Sequence, residues 1–369
     1  MFFGSSMSET ICLKPGFESL HPNMPKGLDP QGNLQFMATN KEVFDEMIEH
    51  CKIKAGSMVM PKFLVSGEFG SGKTHISNHV AREFARMVSD GQTGLSLEVI
   101  PLEIGEVHKK DGFSYLYERM LKSAFSLDKI SNAITQYSNK RAAQTQGAYL
   151  PDMLSEDLSD FFKNVGNDKA IESIQRIASM GVAEDLAKTG WKELMDGSSG
   201  LTDATERVRT LEALSRLFID ACGQYHFFVI DQGNYLVSVK DADAVSSWLS
   251  ATLEMSDSKN SSFGWIFITG NGTDDTTPAW FDDDQVLTRL GGPDPYDNSA
   301  LVELSGVADT TDLSDFMENL FNETIDKDKV QQKRDDGEEG YTDNDLEETF
   351  DLAKYPFSEE AFDSYIENF

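Results

Sequence analysis

Residues 67–74 read Gly-Glu-Phe-Gly-Ser-Gly-Lys-Thr, the spacing G-x-x-x-x-G-K-T, and a short apolar run, 62–65, leads straight into them. From Thr74 to about Val88 the pattern reads as a helix, so the segment is constrained to strand, glycine loop, helix. Gly67, Gly70 and Gly72 let the backbone curl until successive N–H groups face an anion, and the helix that follows adds its positive end. Lys73 then aims a point charge at the β- and γ-phosphates of a nucleotide, and the Thr74 hydroxyl ligates magnesium. Glu68, Phe69, Ser71 and His75 complete the candidate nucleotide-binding stretch 67–75, for which ATP with Mg2+ is the expected ligand pair.

A second constellation lies far downstream. His226-Phe227-Phe228-Val229-Ile230 is an apolar strand pattern that ends in Asp231, the Walker B arrangement, and Asp231 is expected to hold magnesium mostly through water. The next residue is Gln232, where ATPases of this arrangement usually carry a glutamate that polarises the attacking water. An amide has nearly the same shape but cannot accept the proton, so impaired hydrolysis is expected, with Gln232 left to orient water as a glutamine does in some GTPases.

The remaining chain supports an α/β reading. Proline and glycine recur through residues 1–40, which read as a linker, and Val43, Phe44, Met47, Ile48 and Cys51 then mark one amphipathic helix. A strand pattern over 98–104 contains Pro101, which cannot donate a ladder hydrogen bond and suits a sheet edge. Two nearly continuous apolar strands, 226–230 and 264–269, are expected at the centre, and the alternating Leu301-Val302-Glu303-Leu304 at the opposite edge. Residues from about 112 to 222 read as a helical insertion. The expected fold is therefore a doubly wound parallel five-stranded sheet over 41–306, followed by an acidic helical lid over 307–369. Within that lid, 326–345 is so densely charged that it reads as a mobile connector.

Charge narrows the partners. There are 63 acidic against 32 basic residues, a formal net charge of −31, yet 39% of the chain is hydrophobic. Global disorder is excluded by that core content. Such an excess of carboxylate resembles the surface of a protein from a salt-loving microbe, the alternative being an acidic interaction surface. Nucleic acid is repelled by the net field, so contact with DNA needs a local basic patch. His108, Lys109 and Lys110, with Lys140 and Arg141, are the candidates. Cys12, Cys51 and Cys222 show no C-x-x-C spacing, which argues against a disulfide framework or a zinc site and for a reducing cytoplasm. No apolar run is long enough to span a bilayer.

Gly67–His75 and Val229–Asn234 together resemble the AAA+ and related ASCE-type P-loop ATPases, being most similar to origin-recognition-like initiators and BREX-type defence ATPases. The resemblance implies a P-loop NTPase sheet, ATP hydrolysis, and subunits that assemble with ATP at their interfaces and act on a DNA or protein partner. It also implies a polar sensor ending the strand beside Asp231, with Thr269 and Asn271 as candidates. Arg289, ahead of the last core strand, is the implied finger reaching a neighbouring subunit's γ-phosphate. Two other readings stay open: a non-hydrolysing ATP-gated scaffold and a monomeric NTP-dependent signalling module.

Overall fold

The computed structural model describes residues 40–57, 59–67, 71–91, 94–104, 112–147, 149–195, 201, 203–233, 251, 254–255, 262–269, 299–304, 314, 318, 321–322 and 325–336. Nearly all of the expected linker and most of the expected lid lie outside these residues.

Five strands, β1 (Lys62–Gly67), β2 (Ser96–Glu103), β3 (Gln224–Asp231), β4 (Phe263–Ile268) and β5 (Ser299–Leu304), form one all-parallel sheet in the order β2-β3-β4-β1-β5. The chain thus leaves β1 for the far edge and returns through β3 and β4, which reverses the winding direction beside β1. Every residue of β1 and of β4 is buried, as the continuous apolar patterns require of strands covered on both faces. The edge strand β2 mixes exposed, half-buried and buried positions instead, and Pro101 sits in it opposite Val229 of its single neighbour β3. An edge strand tolerates the missing N–H because one side of its backbone needs no partner.

Helices cover both faces. The helices among the described residues are α1 (Lys41–Ser57), α2 (Lys73–Gly91), α3 (Gly112–Ala124), α4 (Leu127–Gln144), α5 (Pro151–Phe162), α6 (Asp168–Ala178), α7 (Glu184–Met195), α8 (Ala204–Cys222) and α9 (Lys327–Asp335), and those that flank β3 show the two faces. Side chains alternate along β3, and each set meets a different layer. On one face Phe227 packs edge-on against Phe84 of α2, with ring centroids 5.4 Å apart. On the other, His226 lies between Phe125, just beyond α3, and Phe218 of α8, at 4.6 and 5.0 Å. Phe84, Phe125, Phe227 and Phe228 are fully buried, and each such ring contributes about 2 to 3 kcal/mol through the area removed from water.

The expected insertion is helical throughout its described residues, from α3 to α8. α8 is its spine, burying Val208, Leu211, Leu214, Leu217 and Phe218 along one stripe. Asp203 opens that helix by accepting from the Thr205 N–H, and Gly223 ends it in the left-handed region at φ 70°. A side chain at 223 would also meet the Gly94 carbonyl at 2.3 Å, so this turn into β3 admits only glycine. No helix among the described residues is long and apolar enough to cross a membrane.

By contacts the described residues fall into two units. The larger takes 45–67 and 80–303, hence nearly all of the sheet and the insertion, and the smaller takes those within 1–44, 68–79 and 304–369. In the smaller unit the stretch expected to be a mobile connector is partly ordered: α9 runs through it, capped by the Asp326 carboxylate on the Lys329 N–H and burying Val330. Charge density misled there. An N-cap aspartate, Asp328 in the first turn and Lys333 with Arg334 in the last complement the helix dipole and favour a helix despite the low apolar content.

Candidate functional site

The described residues of the candidate loop after Gly67 belong to the smaller unit. β1 ends at Gly67, and α2 begins at Lys73. Gly72 immediately before it stands at φ 82°, a left-handed conformation that a side chain resists, and the position a Cβ would take has no atom within 4 Å. The Gly72 carbonyl accepts from the Ile76 N–H at 2.9 Å, which makes it part of the first turn of α2. Lys73, Thr74 and His75 are half-buried on that turn, while Ser71 is buried. This is the amino-terminal end of α2, where the helix dipole favours an anion.

Charge placement around helix starts points the same way. α1 and α4 to α9 each carry at least one acidic residue in the first turn. α2 carries none, and neither does α3, in a chain of net charge −31. A carboxylate at the start of α2 would stabilise the helix, yet it would also occupy the field that a phosphate needs.

Two further contacts brace this turn. Asn40, 5% exposed, donates through Nδ2 to the Ser71 carbonyl at 3.3 Å. His75 stacks on His79 with centroids 6.1 Å apart, and His79 meets Phe44 of α1 at 5.4 Å. Sequence reasoning missed Asn40, although an asparagine directly before an amphipathic run is a helix-start signal.

Asp231, Gln232 and Thr269 belong to the larger unit. Asp231 closes β3 and follows the alternation of Phe227 and Val229, the face covered by α2. Its carbonyl accepts from the Ile104 N–H at 3.0 Å, and its carboxylate oxygen Oδ1 accepts from the Gln232 N–H at 2.7 Å. Gln232 stands at φ 58°, the left-handed region that a glutamine rarely adopts. Gly233 then passes under β4: a Cβ there would lie 2.2 Å from the Phe267 ring and 3.0 Å from the Ile268 carbonyl. Gly233 is a second residue that sequence reasoning passed over, though glycine straight after a strand signals a tight turn.

Of the two sensor candidates, Thr269 is described. It directly follows β4, the strand between β3 and β1, and its N–H donates to the Val65 carbonyl at 2.9 Å. The Thr269 hydroxyl is buried without a hydrogen-bond partner among the described residues. Register aligns the ends: Ile230 pairs with Phe267 and Val65 with Ile268, so Asp231, Thr269 and Gly67 all lie at one edge of the sheet.

Asn271, Arg289, Glu68, Phe69 and Gly70 lie outside the described residues, as do His108, Lys109 and Lys110. The other two basic candidates for DNA contact are engaged within the chain. Lys140 donates to the Asp220 carbonyl at 2.6 Å, and Arg141 pairs with Asp157 at 3.3 Å. Asp157 also accepts from the Tyr137 and Tyr149 hydroxyls at 3.0 and 2.8 Å. Arg141 is thus a clasp between α4, the following turn and α5.

The chemistry of the donors suits magnesium. The Thr74 hydroxyl and the Asp231 carboxylate, each taken by itself in its own unit, are hard oxygen donors of the kind Mg2+ accepts alongside water and phosphate. No group of three or more histidine, cysteine, aspartate or glutamate side chains able to hold a metal ion by themselves occurs among the described residues. His226, near the amino end of β3, is no proton carrier at neutral pH. Burial among Phe125 and Phe218, with Lys129 adding a like charge, pushes its pKa down to about 3.

Compared with protein-family models, with curated proteins and with solved structures, the chain matches none of them.

Proposed function

We propose that the chain is an ATP-binding P-loop ATPase of the AAA+-like type, in which nucleotide state switches or moves a nucleic-acid or protein partner. The observation that carries this reading is the loop itself. A G-x-x-x-x-G-K-T segment joins a buried parallel strand to a helix start that is free of carboxylate, and its Gly72 adopts a backbone conformation suited to glycine. The sheet supports it further, since Thr269 follows β4, the neighbour of β1, and Asp231 ends β3 on the other side of β4, both at the same edge. Open parallel sheets bind ligands at that edge, where the winding direction reverses.

In this reading the backbone of 67–74 cradles the phosphates, Lys73 neutralises the β- and γ-oxygens, and Thr74 with Asp231 holds magnesium. The metal would supply charge neutralisation on the transferring phosphoryl group. Gln232 positions water without accepting its proton, which makes hydrolysis slow, and Thr269 reports on the γ-phosphate. Arg289 is proposed to act across a subunit boundary, so that ATP holds a homo-oligomer together. A non-hydrolysing, ATP-gated scaffold is the second reading, favoured by the amide of Gln232 and by the Asp231 carboxylate being drawn onto the Gln232 N–H.

Calorimetric titration with ATP and magnesium at matched salt tests the shared premise. Wild-type chain binds, and Lys73→Ala loses binding because it removes the cation aimed at the phosphates. Equal affinity in the two proteins overturns the assignment of the loop.

A further inference from the structure

Asn40 lies outside the phosphate-binding signature and 31 positions from its contact in the loop. Its carbonyl accepts from the Phe44 N–H at 2.9 Å, so the residue sits at the start of α1, and its side chain crosses to the Ser71 carbonyl at 3.3 Å with both groups buried. Such a bond has a directional consequence. The peptide joining Ser71 to Gly72 is planar and trans, so its C=O and N–H point in opposite directions. Holding the Ser71 oxygen toward α1 therefore turns the Gly72 N–H away from α1.

The neighbouring peptide does not need this help. The Gly72 carbonyl is already committed to the Ile76 N–H in the first turn of α2. The preceding one is different, because Gly72 at φ 82° has no Cβ to restrict rotation of that plane. Asn40 supplies the restriction that glycine removes.

We infer that Asn40 is a positioning residue for polyphosphate binding: by fixing the Ser71 carbonyl it presets the Gly72 N–H, and it couples the start of α1 to the state of the loop. The inference rests on the ATP-binding reading for its ligand, while its structural half concerns the loop alone. In the full chain, loop order is read by amide hydrogen exchange of segment 71–76 without nucleotide, with segment 41–57 as internal control, and affinity by calorimetry with ATP and magnesium.

Asn40→Ala removes the donor and should raise exchange in 71–76. It should also weaken ATP affinity about tenfold, the size of one lost buried hydrogen bond. Because alanine also weakens the start of α1, Asn40→Asp is the second variant: it keeps a good helix-start residue, replaces the donor with an acceptor, and should show the same loop exchange while 41–57 stays protected. Asn40→Ser, which retains a short donor, should recover part of the affinity. Unchanged exchange in 71–76 for both Asn40→Ala and Asn40→Asp overturns the inference, whatever the nucleotide result. Raised exchange with ATP affinity within twofold of wild type also overturns it, since the preset N–H would then not matter to the ligand. Absence of ATP binding by the wild-type chain is instead the failure of the proposed function, and the exchange comparison still decides whether Asn40 orders the loop.

Discussion

The two ends of β3 show how one strand can carry opposite solutions to the problem of a polar group. At the amino end, His226 is enclosed by Phe125 and Phe218 and has no hydrogen-bond partner among the described residues on either ring nitrogen. Its closest acidic neighbour, Glu98, stands 3.8 Å away and is already engaged by Lys129 at 2.8 Å and by Gln224 at 2.6 Å. At the carboxyl end, Asp231 is half-buried, takes an N–H from Gln232 and leads into a left-handed residue and a glycine that tolerates no side chain. One end is neutral and packed for stability. The other carries a half-buried carboxyl group and a backbone conformation that packing alone would not select, which is the pattern expected of a functional edge.

Three experiments can break or sharpen that contrast, and the largest effect belongs to the carboxyl end. Gln232→Glu restores a carboxylate able to take a proton from water, and phosphate release should rise by roughly 10²-fold, the size of a positioned general base. Steady-state assays with Lys73→Ala as the blank give the answer. A rate unchanged by Gln232→Glu, in protein shown to bind ATP, would transfer the case to the non-hydrolysing scaffold.

The next effect is at the amino end and depends on pH. His226 has its folded pKa lowered to about 3 from an ordinary 6.5, mainly by burial. The unfolded chain therefore takes up the proton first as pH falls, so stability from this residue is complete above about pH 6.5 and is lost progressively toward pH 3. Between pH 7 and pH 5 the loss amounts to about 2 kcal/mol. Urea denaturation of wild type and His226→Phe should show a steeper acid loss in the wild type by that amount. Parallel curves would mean that the ring is not held neutral.

The smallest effect returns to the carboxyl end. At φ 58° a glutamine is strained and glycine is not, so Gln232→Gly should raise stability by up to about 1 kcal/mol after the greater freedom of the unfolded glycine is counted. A more stable protein whose turnover falls would show that the strained geometry serves the site. Lowered stability would show that the Gln232 side chain contributes packing at this turn.

How far the sequence carried can be judged from these same residues. Strand types, the edge position of β2, the central positions of β3 and β4 and the edge position of β5 followed from apolar runs, alternation and one proline, because burial on one or two faces leaves a period in the chain. Gly67 to Thr74 could be proposed as a phosphate loop from the sequence because that chemistry demands particular residue types at short, fixed spacing, and Asp231 because it ends an apolar strand pattern. α9 was misread, since a few capping and dipole interactions outweighed a charge density that resembles a connector.

Contacts between distant segments left no such mark. Nothing in the order of residues says that Asn40 reaches Ser71, that Thr269 ends the strand joining the β1 and β3 edges with its hydroxyl buried, or that Gly233 runs beneath Phe267. Local chemistry sets which residues can cradle a phosphate, and it is written in consecutive positions. The direction in which a peptide plane or a hydroxyl faces is set by partners brought close only when the sheet and helices pack, so tertiary structure alone decided it.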